Sequence, residues 1–140
     1  MISGMPIIWR QDLSFGRWKI MELGQSLEDY LEAAYRLSKN QDVRNIDIAL
    51  LLGRSKPSVS VAVKELMEKG YAKKDSRGTI ILTEKGRKMA ENVYGRHLYY
   101  TKLLIAAGVD RERAEYEGCR MEHILSDDSH EKLKKFIGPL

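Results

Sequence analysis

The sequence is poor in cysteine and has no long apolar run. Cys119 is the single cysteine in 140 residues, so the chain cannot form an internal disulfide. A lone thiol fits the reducing cytosol and stays free for metal binding or redox chemistry, so we expect a cytoplasmic protein. No apolar run approaches the roughly 20 residues that a membrane-spanning helix needs. The N-terminus does not read as a signal peptide, because Arg10, Asp12, Arg17 and Lys19 interrupt its apolar residues.

The chain has the composition of an ordinary globular protein, but its charge is uneven. It is 43% hydrophobic and 31% charged, which is enough apolar material for a core. The net charge is +4. Residues 44–88 hold eleven Lys or Arg against five Asp or Glu, a balance of +6, which leaves −2 for the remainder. That asymmetry indicates a polyanion partner for this third of the chain.

Periodicity predicts a mainly α fold with a small β-hairpin. The predicted helices cover about 26–40, 46–53, 57–70, 83–108, 110–124 and 127–138, and two short strands lie within 71–83. We expect Ser26 to cap the first helix, Gly53 to end the second, and Pro57 to occupy the first turn of the third. Residues 1–25 are predicted to be an N-terminal extension outside the main fold.

Helix, short turn, helix and hairpin is the arrangement of a winged helix-turn-helix, which we assign to residues 26–88. The helix that starts near Pro57 would then lie in the major groove of DNA. The candidate DNA-binding residues are Arg44, Ser55, Lys56, Pro57, Ser58, Val61, Lys64, Lys73, Lys74 and Arg77. Each element taken singly is more often a solvated surface; the order of the elements and the local charge favour binding of double-stranded operator DNA. Because one module makes few base contacts, we expect a homodimer.

The last third contains a possible set of metal ligands. Cys119, Glu122 and His123 are three and four residues apart, so a helix places them on one face. Thiolate, carboxylate and imidazole all bind divalent first-row metals. The alternative is that Cys119 is a small core residue, as free cysteines often are. His130, further along, is expected to be a surface histidine.

Other candidate ligands lie far away in the chain. Asp29 and Glu32 are three apart in the first helix, where "SLED" also resembles a capping box. His97 lies on the apolar side of the long helix, where a satisfied core histidine is the commoner outcome. Spacing alone does not join these segments to Cys119.

From about Ser26 to Phe136 the sequence resembles the metal-dependent repressors related to the diphtheria toxin repressor and the manganese transport regulator. The resemblance is carried by "SLEDYLEAAYRL", "SKPSVSVAVKELMEKGYA", "ILTEKGRKMA", "RHLYYTKLL" and "CRMEHILSD". The last matches the Cys-x-x-Glu-His ligand pattern of the iron-sensing branch. Asp29 falls where the manganese branch has an aspartate ligand and the iron branch a methionine, and Glu32 matches another manganese-branch ligand.

The resemblance implies a fold, a partner and a cofactor. It implies a winged helix-turn-helix followed, over 89–140, by a helical dimerisation and metal-binding domain. It implies a repressor of metal-uptake genes that is activated by Mn(II) or Fe(II), with no small organic substrate and no membrane partner. The metal ligands that it implies are Asp29, Glu32, His97, Cys119, Glu122 and His123. It places Ser55, Pro57 and Val61 at the DNA-facing start of the recognition helix.

The chain also departs from both branches. At Cys119 the manganese branch has a glutamate that bridges two ions, so one or two ions per subunit both stay open. Two positions of the iron branch's second site are Thr101 and Glu115 here, and the chain ends where that branch continues into a further domain. The alternatives are a metal-independent winged-helix regulator, with His97 and Cys119 in the core, and a metalloenzyme. We expect no enzyme, because no nucleophile–base pair or phosphate-binding loop is present.

Overall fold

The computed structural model describes residues 25–140, and the predicted extension lies outside them except for Gln25, which is helical. The described part contains six helices and one antiparallel hairpin, which confirms the predicted fold class. The elements are α1 (Gln25–Ser38), α2 (Asn45–Leu52), α3 (Lys56–Glu68), β1 (Ala72–Lys74), β2 (Ile80–Leu82), α4 (Glu84–Ala106), α5 (Arg111–Ile124) and α6 (Asp127–Ile137). The prediction that Ser26 caps α1 was wrong, because the helix begins at Gln25 and Ser26 lies inside it.

The turn between α2 and α3 follows from its sequence. Gly53 ends α2 in the left-handed conformation (φ 62°), which a residue without a Cβ adopts at no steric cost. Ser55 is the N-cap of α3, where its side chain accepts a hydrogen bond from the Ser58 backbone N–H. Pro57 occupies the first turn of α3, where no N–H is needed. These features make a sharp helix-turn-helix.

The hairpin forms the predicted wing. Ala72 pairs with Leu82 and Lys74 with Ile80, so the turn spans the residues between Lys74 and Ile80. Asp75 organises that turn, because its Oδ1 accepts hydrogen bonds from the backbone N–H groups of Arg77 and Thr79, each at 2.9 Å. These side-chain hydrogen bonds of Asp75 stabilise the turn between the two strands.

One apolar core unites the helix-turn-helix, the hairpin, α1 and the start of α4. Its fully buried members include Leu31, Ile48, Val59, Leu66 and Tyr71. Because α1 belongs to this core and also packs on α4, it joins the DNA-reading unit to the C-terminal helices. Within residues 25–140, no helix has the length and apolar character needed to cross a bilayer.

The two helices after the wing, α4 and α5, pack very closely. A Cβ added at Gly118 of α5 would lie 2.8 Å from Thr101 Oγ1 and 2.9 Å from the Thr101 backbone nitrogen. Glycine at this position therefore permits the close approach of α5 to α4 just before Cys119.

The last helix, α6, is held on α4 by polar contacts. The Tyr100 hydroxyl lies 2.9 Å from His130 Nδ1, and both residues are buried. The prediction that His130 lies on the surface was wrong, because its ring is covered by Tyr99 and Tyr100. Burial, followed by the positive charge of Arg96, lowers the pKa of His130.

Candidate metal centre and DNA-facing surface

Five of the six candidate ligands come together between α1, α4 and α5. The ligand atoms of Asp29, Cys119 and His123 lie within 4.8 Å of one another, and so do those of His97, Cys119 and Glu122. Cys119 belongs to both groups. Cys119, Glu122 and His123 therefore lie on one face of α5, as their spacing predicts. The tertiary fold brings Asp29 and His97 to the same face.

His123 is the centre of this cluster and is 1% exposed. Its Nε2 atom lies 2.8 Å from Asp29 Oδ1, 3.3 Å from Glu122 Oε1 and 3.9 Å from Cys119 Sγ. Burial disfavours the imidazolium, but the hydrogen bonds with Asp29, Cys119 and Glu28 outweigh it and raise the pKa of His123 to about 12. In the absence of another cation, His123 is thus the positive charge around which the acids gather.

Glu122 is completely buried, and it lacks hydrogen bonds. Neither of its carboxyl oxygens has a hydrogen-bond partner within residues 25–140. The 3.3 Å contact with His123 Nε2 is an ion pair by distance, but it lacks hydrogen-bond geometry. Burial, and then repulsion by Glu32, raise the pKa of Glu122 to about 9. A buried carboxylate without donors is destabilising, and a bound cation would satisfy it.

His97 has the properties of a neutral ligand. Its Nδ1 atom is buried without a hydrogen-bond partner. Burial, followed by the charge of Arg36, lowers the pKa of His97 and keeps the imidazole neutral, the form in which histidine binds metals. Its ring stacks on that of Tyr94, with centroids 6.3 Å apart. The unpaired atoms of Glu122 and His97, close to a thiol, fit a divalent metal ion better than they fit a hydrophobic core.

Glu32 is the candidate ligand that the structure does not bring into either group. It is buried, and its ion-pair partner is Arg36, with Nη1 3.9 Å from Glu32 Oε1. Burial raises the pKa of Glu32, and Arg36 partly counters that effect. Of the two positions of the iron branch's second site, Thr101 is buried with an unpaired hydroxyl, whereas Glu115 is exposed.

Two charged residues of this site, Glu28 and Arg96, were not among the predicted ligands. Glu28 is 3% exposed and its Oε2 accepts the Nδ1–H hydrogen bond of His123 at 2.9 Å. Arg96 is 4% exposed, and its Nη2 lies 4.0 Å from Glu28 Oε1. The four-residue interval from Glu28 to Glu32 puts both on one helix face, but a first-turn acid is so common that this spacing alone does not single Glu28 out.

The ten candidate DNA-binding residues are all exposed and lie on the start of α3, the wing and the residue before α2. Val61 is 67% exposed although it is apolar, so the recognition helix presents a methyl surface next to Lys64. Ser55 is occupied in capping, because its hydroxyl also donates to Ser58 Oγ at 2.8 Å. Such a surface suits close approach of a helix N-terminus to a phosphate backbone.

Comparison with protein families gives two adjacent matches. Residues 22–79 match the N-terminal DNA-binding domain of the iron-dependent repressors. Residues 83–140 match the metal-binding and dimerisation domain of the same family. The division between the matches falls at the N-cap of α4, directly after the wing.

Individual relatives agree with these matches. A helix-turn-helix transcriptional regulator of Methanocaldococcus jannaschii is 35% identical over 118 residues, which are 82% of this chain and 94% of that protein. The iron-dependent repressor IdeR of Mycobacterium tuberculosis is 32% identical over 118 residues, 83% of this chain and 51% of IdeR. The solved structure of the manganese regulator SloR matches with a TM-score of 0.69 at 33% identity, over 79% of this chain and 53% of SloR.

This chain thus spans about half the length of IdeR and of SloR, and nearly all of the archaeal regulator. The two domain matches, the relatives and the fold lead to one conclusion: the chain belongs to the iron-dependent repressor family, the metal-dependent transcriptional regulators of the diphtheria toxin repressor and manganese transport regulator type.

Proposed function

We propose that this protein is a homodimeric repressor of metal-uptake and homeostasis genes, and that Mn(II) or Fe(II) activates it for binding to double-stranded operator DNA. IdeR is named for iron and SloR for manganese, and both are longer than this chain. The ligand types here are consistent with either ion, because carboxylates and imidazole suit Mn(II) and Fe(II) while a thiolate favours later metals.

The proposed ligands are Asp29, His97, Cys119, Glu122 and His123, with Glu32 at the edge of the site. The observation that carries this assignment is Glu122, a fully buried residue whose two carboxyl oxygens are unpaired among the described residues and which belongs to the group with His97 and Cys119. A bound ion would satisfy the two Glu122 oxygens, which have no hydrogen-bond partner among the described residues. His123 would give up its Nε2 proton and bind through that nitrogen. Its Nδ1–H would stay hydrogen-bonded to Glu28.

The same ligands suggest how metal binding affects DNA binding. Asp29 belongs to α1, which is part of the core of the reading unit, whereas Cys119, Glu122 and His123 belong to α5. Ligands from both helices, holding one ion, would fix the reading unit on the dimerisation helices. The ion favours this arrangement only by its difference in affinity between the two states, typically about 1–3 kcal/mol.

At the DNA, the start of α3 would read base edges in the major groove. Val61 suits contact with thymine methyl groups, and Ser58 suits either a base or a phosphate. Lys73, Lys74 and Arg77 of the wing would contact phosphates and give salt-dependent affinity without sequence information.

The decisive experiment is a titration of DNA binding with metal. Binding sites are first selected from random duplexes with Mn(II)-loaded protein, and apo protein is then titrated with Mn(II), with Fe(II) under anaerobic conditions and with Zn(II). We expect metal to increase affinity by roughly 5- to 150-fold and a chelator to reverse the increase. Asp29→Asn and His123→Gln should remove the response.

Asp128→Asn is the matched control, because Asp128 is exposed and pairs with Lys132 on α6. It should respond to metal like the wild type. DNA affinity that does not change on chelation would contradict the proposal and identify a metal-independent winged-helix regulator.

A further inference from the structure

Glu28 and Arg96 are buried charges in the described part of the chain that the proposed ligand set does not use. Each is less than 5% exposed, and buried charges are rare unless they are paired. Their distance, 4.0 Å between Arg96 Nη2 and Glu28 Oε1, makes them a pair, but a loose one. Arg96 Nε has no partner at all. A pair that served only stability is expected to be tighter and better hydrogen-bonded, because removing both charges from water is costly.

Glu28 has its short contact with a metal ligand instead. Its Oε2 atom lies 2.9 Å from His123 Nδ1. The other ring nitrogen, Nε2, faces Asp29 and Glu122 at 2.8 and 3.3 Å. The two nitrogens of an imidazole point in different directions, so fixing Nδ1 also fixes the direction of Nε2. The contact joins residues that are 95 apart in sequence, and it therefore exists only in the folded chain.

Arg96 lies behind Glu28. Its second guanidinium nitrogen, Nη1, donates to Asp127 Oδ1 at 3.1 Å at the start of α6, and the Asp127 side chain is 76% exposed. Arg96 is therefore held at one end by an exposed acid and faces the buried Glu28 at the other. Without Arg96, the Glu28 carboxylate would have His123 as its remaining charged partner among the described contacts.

We propose that Glu28 and Arg96 are positioning residues of the metal centre: Glu28 holds the Nδ1–H of His123 so that Nε2 faces the ligand cluster, and Arg96 holds Glu28. The inference rests on the proposed function, since it concerns the orientation of a proposed ligand. Loss of such an outer partner typically weakens metal binding by 10- to 100-fold.

The test uses Co(II), whose absorption reports both affinity and the presence of a thiolate ligand, in the full-length protein. Glu28→Gln keeps the size of the side chain and removes its charge, and we expect Co(II) affinity to fall by roughly 10- to 100-fold. Arg96→Met should weaken binding less, and Arg96→Lys should restore most of it. The double variant should bind no more weakly than Glu28→Gln alone, because Arg96 acts through Glu28.

A second readout needs no metal. In the apo protein, proton and nitrogen NMR should show a hydrogen-bonded His123 Nδ1–H that exchanges slowly with water, and Glu28→Gln should weaken that bond and speed the exchange. Asp128→Asn is the matched control, because Asp128 is an exposed acid that pairs with Lys132 within α6, and the substitution leaves Arg96 and Glu28 in place. It should alter Co(II) affinity by less than about twofold, as exposed ion pairs contribute little.

The outcomes separate the two proposals. Absence of Co(II) binding by the wild type would overturn the proposed metal centre. Normal Co(II) binding by the wild type and by a folded Glu28→Gln variant would overturn the positioning role alone. Additive losses in the double variant would overturn the claim that Arg96 acts through Glu28. Should Arg96→Met fail to fold, Arg96→Lys and Glu28→Gln still decide the question.

Discussion

The candidate metal centre and the DNA-facing surface differ in how their polar groups are satisfied. On the surface, polar side chains are exposed or bonded within a few residues, as Ser55 is to Ser58. In the centre, Glu122 is fully buried and unpaired, and His123 bonds to Glu28, 95 residues away. The polar groups of the surface are therefore satisfied, whereas both Glu122 oxygens and His97 Nδ1 in the centre have no hydrogen-bond partner among the described residues. A buried site with unsatisfied carboxyl and imidazole atoms is suited to binding a cation.

The largest expected effect is that of removing the unpaired carboxyl group of Glu122. Glu122→Met should weaken Mn(II) and Co(II) binding by more than 100-fold, beyond the cost of losing an outer partner. The same change should raise the free energy of unfolding of the apo protein by about 1–3 kcal/mol, because it removes a buried carboxyl group that has no hydrogen-bond partner among the described residues. Calorimetry and denaturant unfolding in chelator measure the two quantities. Glu115→Gln, on the exposed side of α5, should change neither; a less stable apo Glu122→Met would contradict the account.

The second prediction concerns pH. The pKa of Glu122 is raised to about 9 and that of His123 to about 12, so both carry protons at neutral pH. A metal ion must displace those protons, so its affinity should increase from pH 6 to pH 8, by about tenfold per unit for each proton released. Calorimetry in buffers of different ionisation enthalpy should detect the released protons. The Glu122→Gln variant should release one fewer, and a pH-independent affinity would refute the charge assignment.

A smaller effect tests the contact between α4 and α5. Gly118→Ala places a Cβ less than 3 Å from the Thr101 backbone nitrogen, so the helices must separate. We expect the free energy of unfolding to fall by about 1–3 kcal/mol, as for other overpacked sites, and metal affinity to decrease. Gly95→Ala is the matched control, because a Cβ there meets no atom within 4 Å. It should stabilise α4 by up to about 1 kcal/mol. Equal effects of the two substitutions would rule out close packing as the role of Gly118.

The smallest effect belongs to the surface. Lys64→Gln should weaken binding to all DNA sequences by a similar, modest factor and reduce the slope of log affinity against log salt by about 1. Fluorescence anisotropy over a range of salt concentrations measures both. Metal affinity should not change, since Lys64 is exposed on α3 and is not among the candidate ligands. Lys132→Gln on α6 serves as the control, and a slope change there as large as in Lys64→Gln would remove the assignment of Lys64 to the DNA.

The fold was largely predictable because its signals are local. Gly53 and Pro57 each act within a few residues, and each lies where the sequence predicts. Ser26 was wrongly predicted to cap α1, because a serine has the same capping chemistry whether it precedes a helix or lies in its first turn. His130 was misplaced because only tertiary packing against Tyr99 and Tyr100 buries it.

The candidate ligands could be predicted from their match to the family's sequence patterns, whereas the residues around them could not. Spacing places Cys119, Glu122 and His123 on one face, but nothing local brings Asp29 to them. Glu28 and Arg96 escaped for the same reason: an acid in a first turn and an arginine in mid-helix are ordinary on any surface, and only the fold makes them buried neighbours.

Cys119 has a further consequence because its sulfur is common to both ligand groups. Any change at that one atom reaches both groups together, so neither can be retuned through it alone. Independent adjustment is left to the members that are not shared, which are Asp29 and His123 in one group and His97 and Glu122 in the other.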